Sequence, residues 1–467
     1  MKKAEKRAIA LGLVLSIPVA LLSGCAGNTR PVLTLKVSNW EEYIDLGGWE
    51  EDEVIDLSEE EQIIGRQSLV REFEEWYYVT RGKRIKVEYS TFGTNEDLYN
   101  QITLGDVYDL VCPSEYMIMK LLHEGRLEKF DDSFWDESGY ENAYAKGVSP
   151  FIKETFEKLD IDGEKLSDYT AGYMWGTLGL VYNPELVDEE DVKHWNILLN
   201  EKYKRRITIK DSVRDTYFAA LAIMYYDELM GGAVRDHDRL TQILNRRDPQ
   251  TIEGAQDVIT RARENVYSFE TDAGKADLVT GKVAASMQWS GDGVFTMEQA
   301  LDDDIHLRYS IPEEGTNLWF DGWVMMKDGV EGNPEKKDAA QAFVNFISRP
   351  ENAIRNMYYI GYTSVISGGD SDLILDYADW CSGAEDDAEV TEDYPLGYFF
   401  GGDDEDYCVT IDPETTEGMI LKTQYPSREE MDRAAVMDFF DNDCNEQMNR
   451  MWTNVRCFDL RSLFGKK

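Results

Sequence analysis

Short apolar runs alternate with amphipathic stretches along most of the chain, and this alternation strongly limits the folds that it can form. The runs VLTLKVSNW (32–40) and YDLVCP (108–113) are typical of buried strands, whereas residues 67–78 carry apolar side chains at helical spacing. The middle of the chain repeats the pattern between YMWGTLGLVYN (173–183) and KVAASMQWSGDG (282–293). Strand–helix–strand–helix order predicts a parallel sheet and the α/β class.

Acidic residues outnumber basic residues by a wide margin, which limits the possible partners. The 467 residues, enough for two or three domains, include 91 Asp and Glu against 48 Lys and Arg, a formal net charge of −43. Such a surface repels nucleic-acid phosphates and the anionic face of a membrane. We therefore expect no nucleic-acid partner, although net charge alone says nothing about the position of a binding site.

The N-terminal residues have the pattern of an export signal. A basic segment, MKKAEKRAIA, precedes the apolar run LGLVLSIPVALL, which is short for a membrane span, and LSGC follows. The pattern resembles bacterial lipoprotein signals, which implies removal of the signal peptide 1–24, lipid modification of Cys25 and a tether at 25–32. It predicts a soluble body anchored at the extracellular or periplasmic face of the cell membrane. A simple N-terminal membrane helix is the alternative.

The composition changes after residue 367. No Lys or Arg occurs between Arg355 and Lys422, and the segments GAEDDAEV and GGDDEDY concentrate acidic residues there. We expect an acidic surface insertion at about 367–421, partly loop. A calcium loop is an alternative, although the D-x-D-x-D-G spacing is absent. The tail at 428–456 predicts a long helical stretch.

Signatures of enzymes and metal sites are sparse. None of the four histidines lies in an H-x-x-x-H spacing, and the chain contains no G-x-x-x-x-G-K-[ST], G-x-S-x-G or C-x-x-C motif. Scattered carboxylates can form a hydrolase pair, but the abundance of acids gives that pattern little meaning. We therefore expect no catalytic residue, no metal and no cofactor, with a secreted acid-pair hydrolase as a distant alternative.

Aromatic residues recur beside polar ones at the carboxyl ends of the predicted strands. The four motifs are NWEEY (39–43), PSEY (113–116), QWSGD (288–292) and LWFDGW (318–323). Ligands of open α/β sheets bind outside those strand ends. An aromatic face attracts an ammonium by ~0.5–2 kcal/mol, and a charged hydrogen bond adds ~1.5–3 kcal/mol. Because micromolar affinity needs about 8 kcal/mol, the motifs predict a slot with several carboxylates for a small organic cation, whereas a single such Trp is more typical of core packing.

Taken in order, ten segments of the chain resemble the spermidine/putrescine-binding proteins, the substrate-capturing subunits of polyamine ABC transporters. The resemblance runs with gaps from about Leu33 to Ser367 and resumes weakly in the last 45 residues or so. The segments are NWEEYI, YSTFGTNEDLY, YDLVCPSEYMI, EGRLEKFD, YMWGTLGLVYN, EKYKRRITIKDSVRD, SMQWSGDG, LWFDGWVM, AFVNFISRPENA and IGYTS.

The resemblance implies a set of side chains that line the slot. Asp321 matches the central amine-binding aspartate of the family, and the neighbouring Trp323 is expected in the core. The implied ligand-binding residues are Trp40, Glu42, Tyr43, Ser114, Tyr116, Asp215, Trp289, Trp319, Asp321 and Tyr362.

One motif departs from the family pattern. The family often has two acids near D-D-x-R-E, whereas this chain reads K-D-S-V-R-D, with Ser212 at the first acid and Asp215 at the second. Asp211 or Glu41 can compensate for the lost carboxylate. The preference between spermidine and a shorter diamine therefore stays open.

The family resemblance also implies a fold, a partner and a location. It predicts a two-lobe type II periplasmic-binding-protein fold of the α/β class with discontinuous lobes, residues 33–179 plus 318–371 and residues 180–317 plus 372–467, around a hinge. We expect a monomer that binds a small-molecule polyamine for ABC transporter permease subunits and contacts the membrane only through its lipid anchor. Another organic cation or a sugar is the alternative ligand.

Overall fold

Strands and helices alternate in the computed structural model, which describes residues 32–50, 53–58, 61–271 and 273–456. The predicted signal peptide, the lipidation site Cys25 and the tether lie outside these residues, apart from Val32. In the described part of the chain, the strands are β1 (Leu33–Trp40), β2 (Ile55–Asp56), β3 (Gln62–Ile63), β4 (Ile85–Phe92), β5 (Leu110–Val111), β6 (Leu127–Glu128), β7 (Asp160–Ile161), β8 (Glu164–Lys165), β9 (Thr170–Tyr182), β10 (Ile207–Lys210), β11 (Ser268–Glu270), β12 (Ala285–Trp289), β13 (Arg308–Ser310), β14 (Thr316–Met326), β15 (Thr363–Ser364), β16 (Glu392–Pro395), β17 (Cys408–Ile411) and β18 (Ala434–Ala435).

The helices lie between these strands and pack on them. Across the described ranges, every helix is too short or too polar to span a bilayer. The helices are α1 (Leu69–Arg81), α2 (Asn95–Leu104), α3 (Glu115–His123), α4 (Ala143–Gly147), α5 (Pro150–Lys158), α6 (Glu189–Val192), α7 (Val213–Met224), α8 (Tyr226–Met230), α9 (His237–Leu244), α10 (Pro249–Asn265), α11 (Ala273–Val279), α12 (Ser290–Leu301), α13 (Lys327–Val330), α14 (Pro334–Ile347), α15 (Pro350–Ile360), α16 (Leu373–Ser382), α17 (Gly397–Phe400), α18 (Thr416–Gln424), α19 (Arg428–Met431) and α20 (Asn442–Arg456).

The main sheet joins two parallel units through two long antiparallel strands. Its order is β11-β10-β12-β9-β14-β5-β1-β4. At one end β1 is parallel to β4 and β5, and at the other β10 is parallel to β11 and β12. Strands β9 and β14 run antiparallel to each other through the middle. Every residue of both is buried, which explains why their sequences are almost continuously apolar or small.

Buried apolar side chains form two large cores, one on each side of this crossing. The first core includes Leu35, Val111 and Trp323, and the second includes Ile209 and Met287. Along β9 the change falls between Trp175 in the first core and Leu178 in the second. The predicted α/β class and two-lobe architecture are therefore present, and Trp289 packs against both cores.

The segment after residue 372 packs differently from the prediction. Ile374, Phe399 and Leu421 are buried in the first core, whereas the sequence assigned 372–467 to the second lobe. Among the described residues of this segment, those that lie in the second core begin at Ala435 and include Met448 and Val455. The segment is also more ordered than the predicted surface loop, since β16 and β17 pair and α16 packs on α18. The exact division of the chain into lobes stays a prediction.

The predicted long C-terminal helix is interrupted. Helix α19 ends at Met431 and α20 begins at Asn442, and between them Ala434 and Ala435 pair with Thr316 and Asn317 of β14. Helix α20 carries its buried side chains Cys444, Met448, Met451 and Val455 on one face. A helical pattern alone could not predict that a two-residue strand would divide the stretch, because that strand depends on a long-range partner.

Candidate ligand-binding site

A bulge in β14 brings Asp321 to the turn that follows β5. The pairing of β14 with β9 changes register between Asp321 and Gly322. A Cβ at Gly322 would lie 2.6 Å from the side chain of Thr170, so glycine suits this position. The Gly322 N–H donates a hydrogen bond to the carbonyl of Pro113 at 3.1 Å, and Ser114 forms an isolated bridge with Asp321. The motifs PSEY and LWFDGW therefore meet.

The carboxylate of Asp321 is buried and is held by two hydroxyl groups. Tyr43 Oη donates to Oδ2 and Ser114 Oγ donates to Oδ1, each at 2.7 Å. Burial raises the pKa of Asp321 to about 6, although hydrogen bonds from Tyr43 and Ser114 act in the opposite direction. Among the described residues, no cationic side chain pairs with this carboxylate. It is thus an oriented, desolvated negative charge.

Aromatic rings surround this carboxylate. The Tyr362 ring centroid lies 5.4 Å from that of Trp319 and 5.8 Å from that of Tyr43. The indole Nε1 of Trp40 is buried without a hydrogen-bond partner among the described residues, and its proximity lowers the pKa of Asp321. These rings give the carboxylate the low-polarity, aromatic surroundings in which a cation is attracted both to the charge and to ring faces.

The turn after β1 positions Tyr43 and exposes Glu42. Asn39 Nδ2 donates to the carbonyl of Tyr43 at 3.0 Å, and Tyr173 Oη donates to the same carbonyl at 2.8 Å. Glu42 has φ of +53° and is exposed. Burial raises the pKa of the neighbouring Tyr359, and the charge of Glu42 raises it further. Glu42 therefore lies at the rim rather than at Asp321.

Two further carboxylates and one arginine lie where α3 approaches α7. Glu115 and Asp215 are 3% and 5% exposed. Burial raises the pKa of Glu115 to about 8, opposed by Arg214 and reinforced by Asp321 and Asp215. The guanidinium carbon Cζ of Arg214 lies 4.0 Å from the ring centroid of Tyr116. Residues on both helices therefore form one electrostatic group. The Asp215 carboxylate has no hydrogen-bond or ion-pair partner in the described ranges.

The Trp289 end of the site has a different character. Lys210 Nζ lies 3.9 Å from the Trp289 ring centroid and 2.6 Å from Oδ2 of Asp292. Lys275 Nζ lies 2.7 Å from Oδ1 of Asp292, and Tyr362 Oη donates to that oxygen at 3.1 Å. The two lysines lower the pKa of Asp292 although its burial acts in the opposite direction. Here the protein supplies its own cations.

The departure at Ser212 has a structural role. Ser212 is the N-cap of α7, and its Oγ accepts a hydrogen bond from the N–H of Asp215 at 3.3 Å. The proposed substitute Asp211 pairs with Arg456 at 2.7 Å. The other proposed substitute, Glu41, is exposed. A buried carboxylate is nevertheless available in Glu115, which the sequence interpretation passed over.

Nine of the ten predicted site residues divide into three groups in the structure. The residues joined directly or electrostatically around the central carboxylate are Trp40, Tyr43, Ser114, Trp319, Asp321 and Tyr362. Tyr116 and Asp215 lie in the group around Arg214, and Trp289 is reached through Tyr362 and Asp292. No contact among the described residues joins the tenth predicted residue, Glu42, to any of these groups. Sequence reasoning missed Glu115, Lys210 and Asp292, although two of them stand inside the quoted motifs PSEY and QWSGD.

Comparison with protein families places the chain. The family model of bacterial extracellular solute-binding proteins matches residues 68–373, more than half of the chain. The chain belongs to this family. The matched region of this solute-binding protein includes Ser114, Asp215, Asp321 and Tyr362, whereas Trp40 and Tyr43 precede it. Membership assigns the general activity, binding of a solute, and does not specify which solute is bound.

Individual relatives agree with this membership. The spermidine/putrescine-binding periplasmic protein of Salmonella typhimurium is 28% identical over 285 residues, 61% of this chain and 71% of that protein. The putrescine-binding periplasmic protein SpuD of Pseudomonas aeruginosa is 27% identical over 285 residues, which cover 58% of this chain and 69% of SpuD. Among solved structures, the substrate-binding protein PotD of the spermidine/putrescine ABC transporter of Streptococcus pneumoniae matches with a TM-score of 0.58 at 26% identity, covering 91% of this chain and 98% of PotD. These matches confirm the predicted family resemblance and the two-lobe fold.

Proposed function

We propose that this solute-binding protein captures a polyamine outside the cell for import by an ABC transporter. One observation carries the proposal: Asp321 is a buried carboxylate with two hydroxyl donors and, in the described part of the chain, no cationic partner. A buried charge without a counter-charge is costly. An ammonium group of a ligand would supply that counter-charge, and the nearby rings would attract the same cation. The polyamine-binding relatives support this choice of solute.

The group around Arg214 extends the proposed site beyond one ammonium. Glu115 and Asp215 are buried beside a single guanidinium, so one negative charge stays unbalanced when both are ionised. Glu115 has a raised pKa of about 8 and is mainly protonated in the empty site at neutral pH. An arriving ammonium would favour its ionised form. Polyamine binding is therefore proposed to release a proton from Glu115.

The proposed location and partner follow from the same assignment. Lipid modification at Cys25 would hold the body at the membrane surface, where permease subunits of the transporter would receive the polyamine. The relatives named as periplasmic proteins support an extracytoplasmic location. Radioactive palmitate labelling of the wild type and of Cys25→Ser in a bacterial host tests the anchor, and label in both would contradict it.

Isothermal titration calorimetry of the purified protein with putrescine, spermidine, spermine and a sugar panel tests the ligand class. We expect saturable heats with at least one polyamine at micromolar concentration and none with the sugars. Absence of binding to every polyamine at millimolar concentration would reject the proposal. Saturable sugar binding, unaffected by Asp321→Asn beyond the loss of one hydrogen bond, would favour the alternative. Recovery of chemically altered ligand after incubation would indicate the hydrolase instead.

A further inference from the structure

The Trp289 face of the cleft is already covered by an ammonium group that belongs to the protein. Lys210 is 1% exposed, and its Nζ lies 3.9 Å from the Trp289 ring centroid. The same atom donates to Asp292 Oδ2 at 2.6 Å and to the carbonyl of Thr271 at 3.1 Å. A lysine ammonium has three N–H donors. Two carbonyl or carboxylate oxygens and a ring face therefore satisfy this one fully.

The position of Lys210 follows from the sheet. It is the last residue of β10, which lies between β11 and β12, and Trp289 is the last residue of β12. All four residues of β10 are buried. Parallel neighbours end at the same edge of a sheet, so the lysine and the tryptophan meet where a ligand would enter. Lys210 Nζ thus occupies the place against Trp289 that the ammonium of a ligand would take.

The two sides of Tyr362 differ in the cations that the protein itself supplies. On one side, Arg214 is the cation that the described contacts place beside Glu115 and Asp215, and no described cation pairs with Asp321. On the other side, both Lys210 and Lys275 pair with Asp292. A ligand with two ammonium groups would balance Asp321 and the pair formed by Glu115 and Asp215. A third ammonium reaching the second side would find Asp292 already paired and would meet the Lys210 ammonium against Trp289.

We infer that Lys210 acts as a built-in ammonium that closes the Trp289 subsite and makes the cleft selective for diamines over triamines and tetraamines. The inference rests on the proposed polyamine function and specifies its substrate class. It also accounts for the sequence departure, because Ser212 removes one carboxylate from the lobe in which Lys210 adds a cation. Lys210 is therefore a specificity-determining residue that acts by holding its own ammonium at the Trp289 ring and by repelling a third amine.

Lys275 provides the matched control for Lys210. Both lysines pair with Asp292, but Lys210 is the one that covers the Trp289 ring. Lys275→Met keeps a one-to-one ion pair and keeps the ring covered. Lys210→Met keeps the pair between Lys275 and Asp292 and replaces the ammonium over the ring with an uncharged side chain of similar length. Any difference between the two variants thus isolates the ammonium at Trp289 from the neutralisation of Asp292.

Calorimetric dissociation constants for putrescine and spermidine in the wild type and both variants test the inference. We expect the wild type to bind putrescine at least tenfold more tightly than spermidine. Lys210→Met should lower this ratio at least tenfold, mainly by tighter spermidine binding, and Lys275→Met should change it less than threefold. A wild-type preference for spermidine, or an equal ratio in the wild type and Lys210→Met, would overturn the inference.

The outcome also separates this inference from the function on which it rests. If neither the wild type nor either variant binds putrescine or spermidine, the polyamine function is rejected, and the diamine selectivity is rejected with it. If polyamines bind without the expected change in ratio, only the selectivity mechanism is rejected. Circular dichroism and thermal melting verify folding first. If Lys210→Met does not fold, the double variant Lys210→Met/Asp292→Asn removes the ion pair as well as the ring-covering cation, and the same change in ratio is expected.

Discussion

Two buried aspartates on either side of Tyr362 are neutralised in opposite ways. Asp321 accepts hydrogen bonds from Tyr43 and Ser114 but has no cationic partner among the described residues. Asp292, about equally buried, has two lysines and a tyrosine hydroxyl. Their pKa values move in opposite directions: burial raises that of Asp321, and the lysines lower that of Asp292. Internal cations thus neutralise Asp292, whereas a cation of the proposed ligand would neutralise Asp321.

The difference teaches how a binding cleft can be recognised in a strongly acidic protein. Most of the 91 acidic residues carry no information about function, because exposed carboxylates are solvated by water. A buried carboxylate is informative through its partners. Where internal cations satisfy it, as at Asp292, it stabilises the fold. Where only neutral donors satisfy it, as at Asp321, its charge is available to a cationic ligand.

The largest expected effect is a double contrast between Asp321→Asn and Asp292→Asn. Asp321→Asn should weaken polyamine binding at least about 100-fold, since removing one partner of a buried ion pair costs roughly 3–5 kcal/mol. It should not lower the stability of the empty protein, because it removes an unpaired buried charge. Asp292→Asn should lower the stability of the empty protein by roughly 3–5 kcal/mol, because Lys210 and Lys275 lose their buried carboxylate partner. Calorimetry and urea denaturation measure the two quantities.

Asp109→Asn is the control for burial alone. Asp109 is fully buried immediately before β5 of the same sheet, and it pairs with Lys336 at 2.8 Å, away from the site. This variant should lose stability and keep its dissociation constant for putrescine. If Asp321→Asn and Asp109→Asn weaken binding equally, the role assigned to Asp321 is wrong.

The second expected effect concerns stability and pH. The folded-state pKa of Glu115 is about 8, against an ordinary value of 4.5. Between these values the folded state binds more protons than the unfolded state, so this group makes the protein less stable as pH rises. From pH 6.5 to 8, urea denaturation should show Glu115→Gln gaining stability over the wild type, at most about 1.4 kcal/mol per pH unit. This window lies above the pKa of Asp321. A constant difference across it would contradict the assignment.

The α/β class could be predicted from the sequence pattern, because its determinants are local, whereas the two-lobe architecture was predicted from the family resemblance. Alternating strands and helices, with long buried runs at β9 and β14, indicate the α/β class without any contact information. The packing of residues 373–436 could not be predicted in this way. Concentrated acidic residues and a lack of basic residues suggested a surface insertion, partly loop, whereas Phe399 and Leu421 fill the first core through long-range contacts.

The candidate site was only partly accessible from sequence. Motifs identified the residue types near Asp321, since family resemblance carries residue identity. The sequence could not show which carboxylates already have a cation, because Lys210 and Lys275 reach Asp292 from separate elements, 82 and 17 positions away. One signal was present: a lysine ends the otherwise uncharged, fully buried strand β10. A charge in such a strand indicates a buried partner.

The third expected effect is a proton released when polyamine binds. Because Glu115 is mainly protonated in the empty site at pH 7, binding of an ammonium should ionise it. The affinity for polyamine should therefore rise with pH, by up to about tenfold per pH unit between pH 6 and 8. Calorimetry in phosphate and in Tris would give different binding heats, because the released proton is taken up by buffers with different ionisation enthalpies. Glu115→Gln should abolish the difference, and Glu42→Gln, at the exposed rim, should retain it. Equal heats in both buffers for the wild type would exclude this coupling.

The smallest expected effect compares the two tyrosine hydroxyls that serve the two aspartates. Tyr43→Phe removes one of the two hydroxyl donors to Asp321. The pKa of Asp321 should therefore rise further above 6, and putrescine should bind about five- to tenfold more weakly at pH 7. Tyr362→Phe removes a donor from Asp292, which keeps both lysines, so the change should stay below about threefold. Both variants retain their rings. Calorimetry at pH 6 and pH 8 adds a diagnostic: the defect of Tyr43→Phe should shrink at the higher pH, where Asp321 is ionised in either protein, whereas a defect caused by altered packing would not change with pH.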